Sequence, residues 1–284
     1  MPDTRHTRLA VLGSPIGHSK SPELHRAAYR ELGLDWTYEA VDVTGETLPG
    51  FVGGLGADWR GLSLTMPLKR DVLRLLARHD DLVDLTGGAN TVLITESGLA
   101  GFNTDVYGLI EALRGSGVVR VSAVQLIGAG ATAASVLVAV ASLGATEVLV
   151  TTRSPEKATA LFALAERLGM SATAAGLSGR RGDFVADLVV STLPGGTRLD
   201  LPLPAEVLSG ATLLDVAYDP WPTPLATRFL EAGGSVISGL EMLVNQALAQ
   251  VRIFVTGSPQ TPVDDEASVL RAMRASIGLP PLPH

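Results

Sequence analysis

The run Gly128-Ala129-Gly130-Ala131-Thr132-Ala133 has the residue types and spacing of a site that does chemistry. It spells G-x-G-x-x-A between an apolar run at residues 124–127 and an apolar, helix-like stretch at 134–143. Strand, glycine turn and helix in that order build a cradle for a dinucleotide pyrophosphate. Gly128 permits the tight turn, Gly130 lets the backbone approach the ligand, and the small Ala133 lets helix and strand pack closely. Ala129, Ala131 and Thr132 complete the loop, whose free amides lie at the positive end of the helix. An ordinary glycine-rich strand-to-helix turn would carry the same glycines.

The next strand of such a unit ends Val150-Thr151-Thr152-Arg153-Ser154. An NAD enzyme places an acidic residue there, against the ribose 2′-hydroxyl. Here Arg153 stands in that place, with Lys157 four residues on, and a planar guanidinium offers forked donors to a 2′-phosphate. The expected cofactor is therefore NADP, although a solvated Arg and Lys at a helix start would look the same.

Other chemistries are excluded by composition. The chain has no cysteine, which removes disulfides, thiolate nucleophiles and Cys-ligated metals, so redox work requires a bound cofactor. His18 and His25 sit seven apart without a third ligand; no metal is expected, and the two are read as supporting their loop. Net charge is −7 with no Lys/Arg run longer than two, which gives no footprint for nucleic acid or an anionic membrane. A small molecule is the expected partner. The start of the chain has no apolar leader-like segment and residues 133–143 are too short to span a bilayer, so the expected compartment is the cytoplasm.

At 284 residues two domains of about 100 to 180 residues are expected, with a deep cleft between them. Strand-like runs at 9–12, 36–43 and 61–65 alternate with a helix opened by a capping Ser21 before Pro22, and with a helical pattern through Val72, Leu73, Leu75 and Leu76. Residues 91–95 and 99–102 flank Glu96-Ser97-Gly98 as a hairpin. A linking helix is expected from Asp105. Apolar runs at 123–127, 148–150, 188–190, 213–216 and 236–237 then alternate with helical segments, which predicts a parallel sheet covered on both faces. The fold class is α/β: an N-terminal α/β domain over residues 1–104, a doubly wound Rossmann domain over 105–240, and C-terminal helices over 241–284 that return to the first domain. The Pro-rich end from Pro280 is read as a loose tail.

Several segments, in order and in register, resemble the shikimate dehydrogenase family across nearly the whole chain. Ser14-Pro15-Ile16-Gly17-His18-Ser19-Lys20-Ser21-Pro22-Glu23-Leu24-His25 is similar to its N-terminal signature. Gly61-Leu62-Ser63-Leu64-Thr65-Met66-Pro67-Leu68-Lys69 is similar to G-x-N-V-T-x-P-x-K, Gly88-Ala89-Asn90-Thr91 to G-A-x-N-T, and Gly101-Phe102-Asn103-Thr104-Asp105-Val106-Tyr107-Gly108 to G-x-N-T-D-x-x-G. Asp215-Val216-Ala217-Tyr218-Asp219-Pro220 with Thr223-Pro224-Leu225, and the run from Gly239 to Ala247, resemble its later motifs. Ser63 stands where the family usually has Asn, and Arg26 where Asn often follows His25.

The resemblance implies an N-terminal substrate domain and NADPH-dependent reduction of 3-dehydroshikimate to shikimate, on the way to chorismate and aromatic amino acids. It implies Lys69 and Asp105 as the catalytic pair. A positioned ammonium stabilises charge building on a ketone oxygen and hands over a proton, while a carboxylate orients it. Ser19 and Ser21 would hold the substrate carboxylate, Thr65, Asn90, Tyr218 and Gln246 would bind carboxylate or hydroxyls, and Asp81, Val216 and Gly239 would approach the cofactor. Capping by Asp105 or Ser21, a solvated Lys69 and a turn at Asn90 are the purely structural alternatives. The competing functions are a quinate/shikimate dehydrogenase using NAD and a non-catalytic sensor of nucleotide and substrate. A monomer or homodimer is expected.

Overall fold

The alternating apolar runs fold into two sheets. The computed structural model describes residues 7–153, 158–177, 184–198 and 200–281, and the chain divides into two compact units, Met1–Gly108 with Leu243–His284, and Leu109–Met242.

The first unit holds β1 (Thr7–Gly13), α1 (Ser21–Glu31), β2 (Trp36–Asp42), α2 (Leu48–Gly53), β3 (Trp59–Leu64), β4 (Arg78–His79), α3 (Asp81–Thr86), β5 (Thr91–Thr95) and β6 (Gly98–Phe102). Its strands form one sheet in the order β2-β1-β3-β5-β6-β4. β1 runs parallel to β2 and β3, while β3, β5 and β6 pair antiparallel, the β5–β6 turn being the expected hairpin. Side chains alternate across a strand, so β1 feeds two cores. Leu9 and Val11 join Tyr38, Phe102, Val251 and Phe254 on one face, and Ala10 and Leu12 join Leu62, Leu64, Val72 and Val83 on the other.

The second unit's strands are β7 (Ala123–Ile127), β8 (Glu147–Thr151), β9 (Ser171–Ala175), β10 (Leu188–Ser191), β11 (Thr212–Asp215) and β12 (Ser235–Ser238). They lie in the order β12-β11-β10-β7-β8-β9 with every pairing parallel. That is the doubly wound order of two mononucleotide-binding halves, whose ligand crevice opens at the carboxyl ends of the strands where the order reverses, here between β7 and β10. The helices are α4 (Asp105–Gly115), α5 (Ala131–Ser142), α6 (Thr159–Arg167), α7 (Ala205–Gly210), α8 (Pro224–Glu231), α9 (Gly239–Thr256) and α10 (Glu266–Ser276). The division between units falls within α4 and α9.

Four local readings are corrected. Ser21 does not cap α1: the turn begins earlier, with Leu24 N–H donating to Lys20 O, so Lys20 takes the cap position and Ser21 the first helical one. The pattern at residues 72–76 forms a short 3-10 turn over Asp71–Leu75 rather than an α-helix. β9 is an edge strand of small residues, Ser-Ala-Thr-Ala-Ala, recruited by pairing with β8 rather than by propensity. The start of the expected tail is held, since Arg274 Nε donates to Pro280 O at 2.7 Å; residues 282–284 lie outside the described residues.

Among the described residues no helix is long and apolar enough to cross a membrane. At Gly61 on β3 an added Cβ would lie 2.5 Å from the Phe254 ring and 2.6 Å from Val92 O. Gly61→Ala is expected to cost about 1–3 kcal/mol through overpacking. Urea unfolding measures it, and an unchanged midpoint would mean that the buried Phe254 yields freely.

Candidate active site

The site in the first unit is assembled by main-chain contacts between segments distant in sequence. β1 ends at Gly13, where a Cβ would collide with Thr65 Cγ2 and come within 2.9 Å of Met66 O. With glycine there, Ser14 N–H donates to Met66 O at 3.1 Å and Thr65 N–H to Leu12 O at 2.9 Å. The Ser14–Ser21 loop therefore lies against the segment carrying Thr65 and Lys69. Within that loop Ser19 is half-buried, and its hydroxyl accepts the N–H of the buried Ser21 at 3.4 Å. Lys69 is fixed in turn because its carbonyl accepts Ala89 N–H at 2.8 Å, next to Asn90.

Lys69 Nζ donates to Asp105 Oδ2, with only 13% and 4% of the two side chains exposed. Burial of an ion pair is tolerable only when its remaining lone pairs and protons are met. Asn90 does much of this. The two hydrogens of its Nδ2 are shared among Asp105 Oδ1 at 2.8 Å, Thr104 Oγ1 at 2.9 Å and Gln246 Oε1 at 3.1 Å. A carboxylate can only accept, so this contact dictates which end of the Asn90 amide is nitrogen. The Oδ1 end accepts Thr104 N–H and Thr91 Oγ1, both at 2.9 Å. Asp105 does not serve as a helix cap: the side chain of Asn103 accepts the Asp105 N–H at 3.0 Å, which leaves the carboxylate for Lys69 and Asn90.

Beneath these residues lies a buried polar group. Gln250 Nε2 donates to Asn90 O and Thr91 Oγ1, both at 3.1 Å. Its Oε1 accepts Ser63 Oγ at 2.9 Å and meets His25 Nε2 at 3.1 Å. That oxygen is an acceptor, so His25 carries its proton on Nε2, and Nδ1 accepts the Tyr29 hydroxyl at 3.0 Å. His25 also stacks on Tyr38 at 3.9 Å, whose hydroxyl donates to Ser63 at 2.7 Å. Burial pulls the His25 pKa from 6.5 down to about 3, against the opposing hydrogen bond with Gln250. His25 is thus a neutral core residue and not a support for its loop; His18 is exposed. Ser63 turns to Tyr38 and Gln250 rather than to Thr65.

Gln250 and Thr104 are not among the residues expected from sequence. Gln246 and Gln250 lie four apart on α9 and so share a helical face, which is the signal that could have found Gln250. Asp81 is exposed in the first turn of α3, and no hydrogen bond among the described residues joins it to this network. Nor does any group of three or more His, Cys, Asp or Glu among the described residues suit a metal ion.

The remaining expected residues belong to the second unit. Gly128 has φ +112°, and a Cβ there would collide with Thr192 Oγ1, just after β10 at the reversal of strand order. Gly130 takes the cap position before α5, with open space over its α-carbon and no side chain capping the helix. Ala129, Ala131 and Thr132 are half-buried around it. This cradle fits a pyrophosphate, which uncapped helix amides attract. Arg153 is exposed just beyond β8, where a 2′-phosphate would lie; Lys157 lies outside the described residues. Val216 and Tyr218 are half-buried after β11, and Gly239 is required by close approach, since a Cβ would collide with Val216 O.

Residues 11–92 match the family model described as the shikimate dehydrogenase substrate binding domain. A shikimate dehydrogenase (NADP(+)) of Thermus thermophilus is 38% identical, over 94% of this chain and 98% of its own length. The chain belongs to the shikimate dehydrogenase family. Among solved family structures, that of Mycobacterium tuberculosis is 39% identical with a TM-score of 0.80, covering 95% of this chain and 99% of its own. The structure from another strain of Thermus thermophilus, in complex with NADP(H) and shikimate, is 34% identical with a TM-score of 0.77, covering 95% and 99%. Within the family, this chain's Ser63 keeps a hydroxyl on Gln250 where Asn is usual, and Arg26 spends its guanidinium on Tyr38 O at 3.0 Å.

The unfolded chain takes up a proton on His25 below about pH 6.5 and the native state only near 3. Stability is therefore full above pH 6.5 and falls as the pH drops towards 3, by about 2 kcal/mol at pH 5 from this group. His25→Gln is expected to flatten that part of the profile. Unfolding midpoints at pH 5 and 7.5 check this, and an equal pH slope in the variant would contradict it.

Proposed function

We propose that this protein reduces 3-dehydroshikimate to shikimate with NADPH, reversibly, within the shikimate pathway leading to chorismate and aromatic amino acids. We place it in the cytoplasm, acting as a monomer or homodimer. The reading is carried by the largely buried Lys69–Asp105 pair, oriented by Asn90, in a chain 38% identical along nearly its whole length to an NADP-dependent relative.

Bound NADPH supplies the hydride to the ketone carbon. As negative charge builds on the ketone oxygen, Lys69 Nζ stabilises it and donates the proton that completes the alcohol. Asp105 Oδ2 holds the ammonium at that position, and its partner Oδ1 is pinned by Asn90, so little reorganisation is needed as the charge moves. The partly exposed Lys69 then regains a proton from water. In the oxidising direction the neutral amine takes the hydroxyl proton. Ser19 and Ser21 would receive the substrate carboxylate; Thr65, Asn90, Gln246 and Tyr218 offer amide or hydroxyl groups to carboxylate or ring hydroxyls. Gly128, Ala129, Gly130, Ala131 and Thr132 would hold the pyrophosphate, and Arg153 with Lys157 the 2′-phosphate, with Asp81, Val216 and Gly239 approaching the cofactor.

Purified protein is expected to reduce NADP with shikimate faster than NAD, and faster than with quinate; no turnover despite nucleotide binding would instead favour a sensor. Lys69→Met is expected to lower kcat on the order of 10²- to 10⁴-fold while calorimetry still detects shikimate. Arg153→Ser is expected to raise the KM for NADP about tenfold, the weight of one charged hydrogen bond, with NAD kinetics unchanged. Equal effects on both nucleotides would remove Arg153 from the 2′-phosphate site.

A further inference from the structure

The hydrogen bonds beneath the Lys69–Asp105 pair share one direction. The Tyr29 hydroxyl donates to His25 Nδ1 and His25 Nε2 to Gln250 Oε1. Gln250 Nε2 donates to Thr91 Oγ1, Thr91 Oγ1 to Asn90 Oδ1, and Asn90 Nδ2 to Asp105 Oδ1. A second branch, Tyr38 to Ser63 to Gln250 Oε1, joins at the same amide.

Each direction follows from its neighbour. The second hydrogen of Gln250 Nε2 goes to the main-chain carbonyl of Asn90, which can only accept. That sets the Gln250 amide, whose oxygen then selects the His25 tautomer and makes Tyr29 a donor. With Gln250 donating to Thr91, the single Thr91 proton is left for Asn90 Oδ1. All members are far from solvent: His25, Tyr29, Tyr38, Asn90, Thr91 and Gln250 are at most 2% exposed, and Ser63 and Asp105 3%. Aligned donors in a low-dielectric setting polarise one another, so each bond strengthens the next.

We propose that Thr91 and Gln250, backed by His25, are positioning residues: an aligned donor chain through the core that holds Asn90 and, through it, the Asp105 carboxylate that aims Lys69. The proposal rests on Lys69 and Asp105 as the reacting pair. None of the chain's upstream members needs to touch substrate. Their identities are chemical requirements: Thr91 must both accept and donate, which Ser can do and Val cannot.

The test compares Thr91→Val, which keeps shape and removes the hydroxyl, with Thr91→Ser, which restores it. Thr91→Val is expected to lower kcat for shikimate oxidation about five- to tenfold, the scale of one hydrogen bond, with KM within about twofold. Thr91→Ser is expected to return kcat to within about twofold of the parent even where its melting temperature is lower. A second readout needs no turnover: the rate at which dilute acetic anhydride labels Lys69, relative to the exposed Lys20, followed by peptide mass spectrometry. Labelling of Lys69 is expected to quicken in Thr91→Val and return towards the parent in Thr91→Ser. If the parent oxidises no substrate, the functional reading fails while the labelling still decides the chain. Parent-like kcat and labelling in Thr91→Val would overturn the proposal. So would losses in both variants that track melting temperature alone, which would make Thr91 a packing residue. Should Thr91→Val not fold, Thr91→Ala replaces it under the same criteria.

Discussion

An ammonium and a carboxylate withdrawn from water attract each other strongly, but their desolvation offsets much of that gain unless neighbouring dipoles replace the lost solvent. The Lys69–Asp105 pair imposes this constraint on the first unit. Asp105 needs donors, and Asn90 and Lys69 supply them; Asn90 needs an acceptor-to-donor order of its own, and Thr91, Thr104 and Gln246 meet it. The demand passes inward to Gln250, His25 and two tyrosines. Among the described residues no buried side-chain nitrogen or oxygen lacks a partner, which is the condition under which such a network orders a core instead of weakening it.

The same constraint explains the connectivity of this unit. Lys69 follows β3, Asn90 precedes β5, Asp105 opens α4, and Gln246 and Gln250 come from α9. Strand pairing brings the first three segments together, and α9 returns late in the chain to cover them. Arg252 on α9 is held bidentately by Glu266 of α10 and also donates to Tyr107 Oη at 3.1 Å. The last two helices are thereby tied to the first turn of α4, two residues from Asp105. Glu266 is the main cause of the raised Arg252 pKa.

In the second unit backbone, rather than charge, is the limiting resource. Gly128 and Gly239 sit where a Cβ would meet Thr192 and the Val216 carbonyl. The turns at the carboxyl ends of β7 and β12 are therefore compact, and the start of α5 is left open for an anion.

Much of this is legible in the sequence because it depends on local rules. Near-continuous apolar runs mark the central strands of a covered parallel sheet, and β7, β8, β10, β11 and β12 are readable on that basis. Gly128 and Gly130 are legible because a strand, a tight turn and a helix dictate glycine at those positions. Lys69, Asp105, Asn90 and Gln246 are reached through motif resemblance, not through contacts, which their separations of 15 to 156 residues conceal. Small-residue strand β9 carries too little pattern to be seen, since its pairing with β8 supplies what its propensity lacks. Ser21 reads as a cap because a Ser-Pro pair suits a helix start one residue either way. The alignment of His25, Gln250, Thr91 and Asn90 could be decided only by tertiary structure, because hydrogen-bond direction is a property of neighbours in space: a carbonyl from one strand sets the amide of a distant helix, and that amide sets a tautomer.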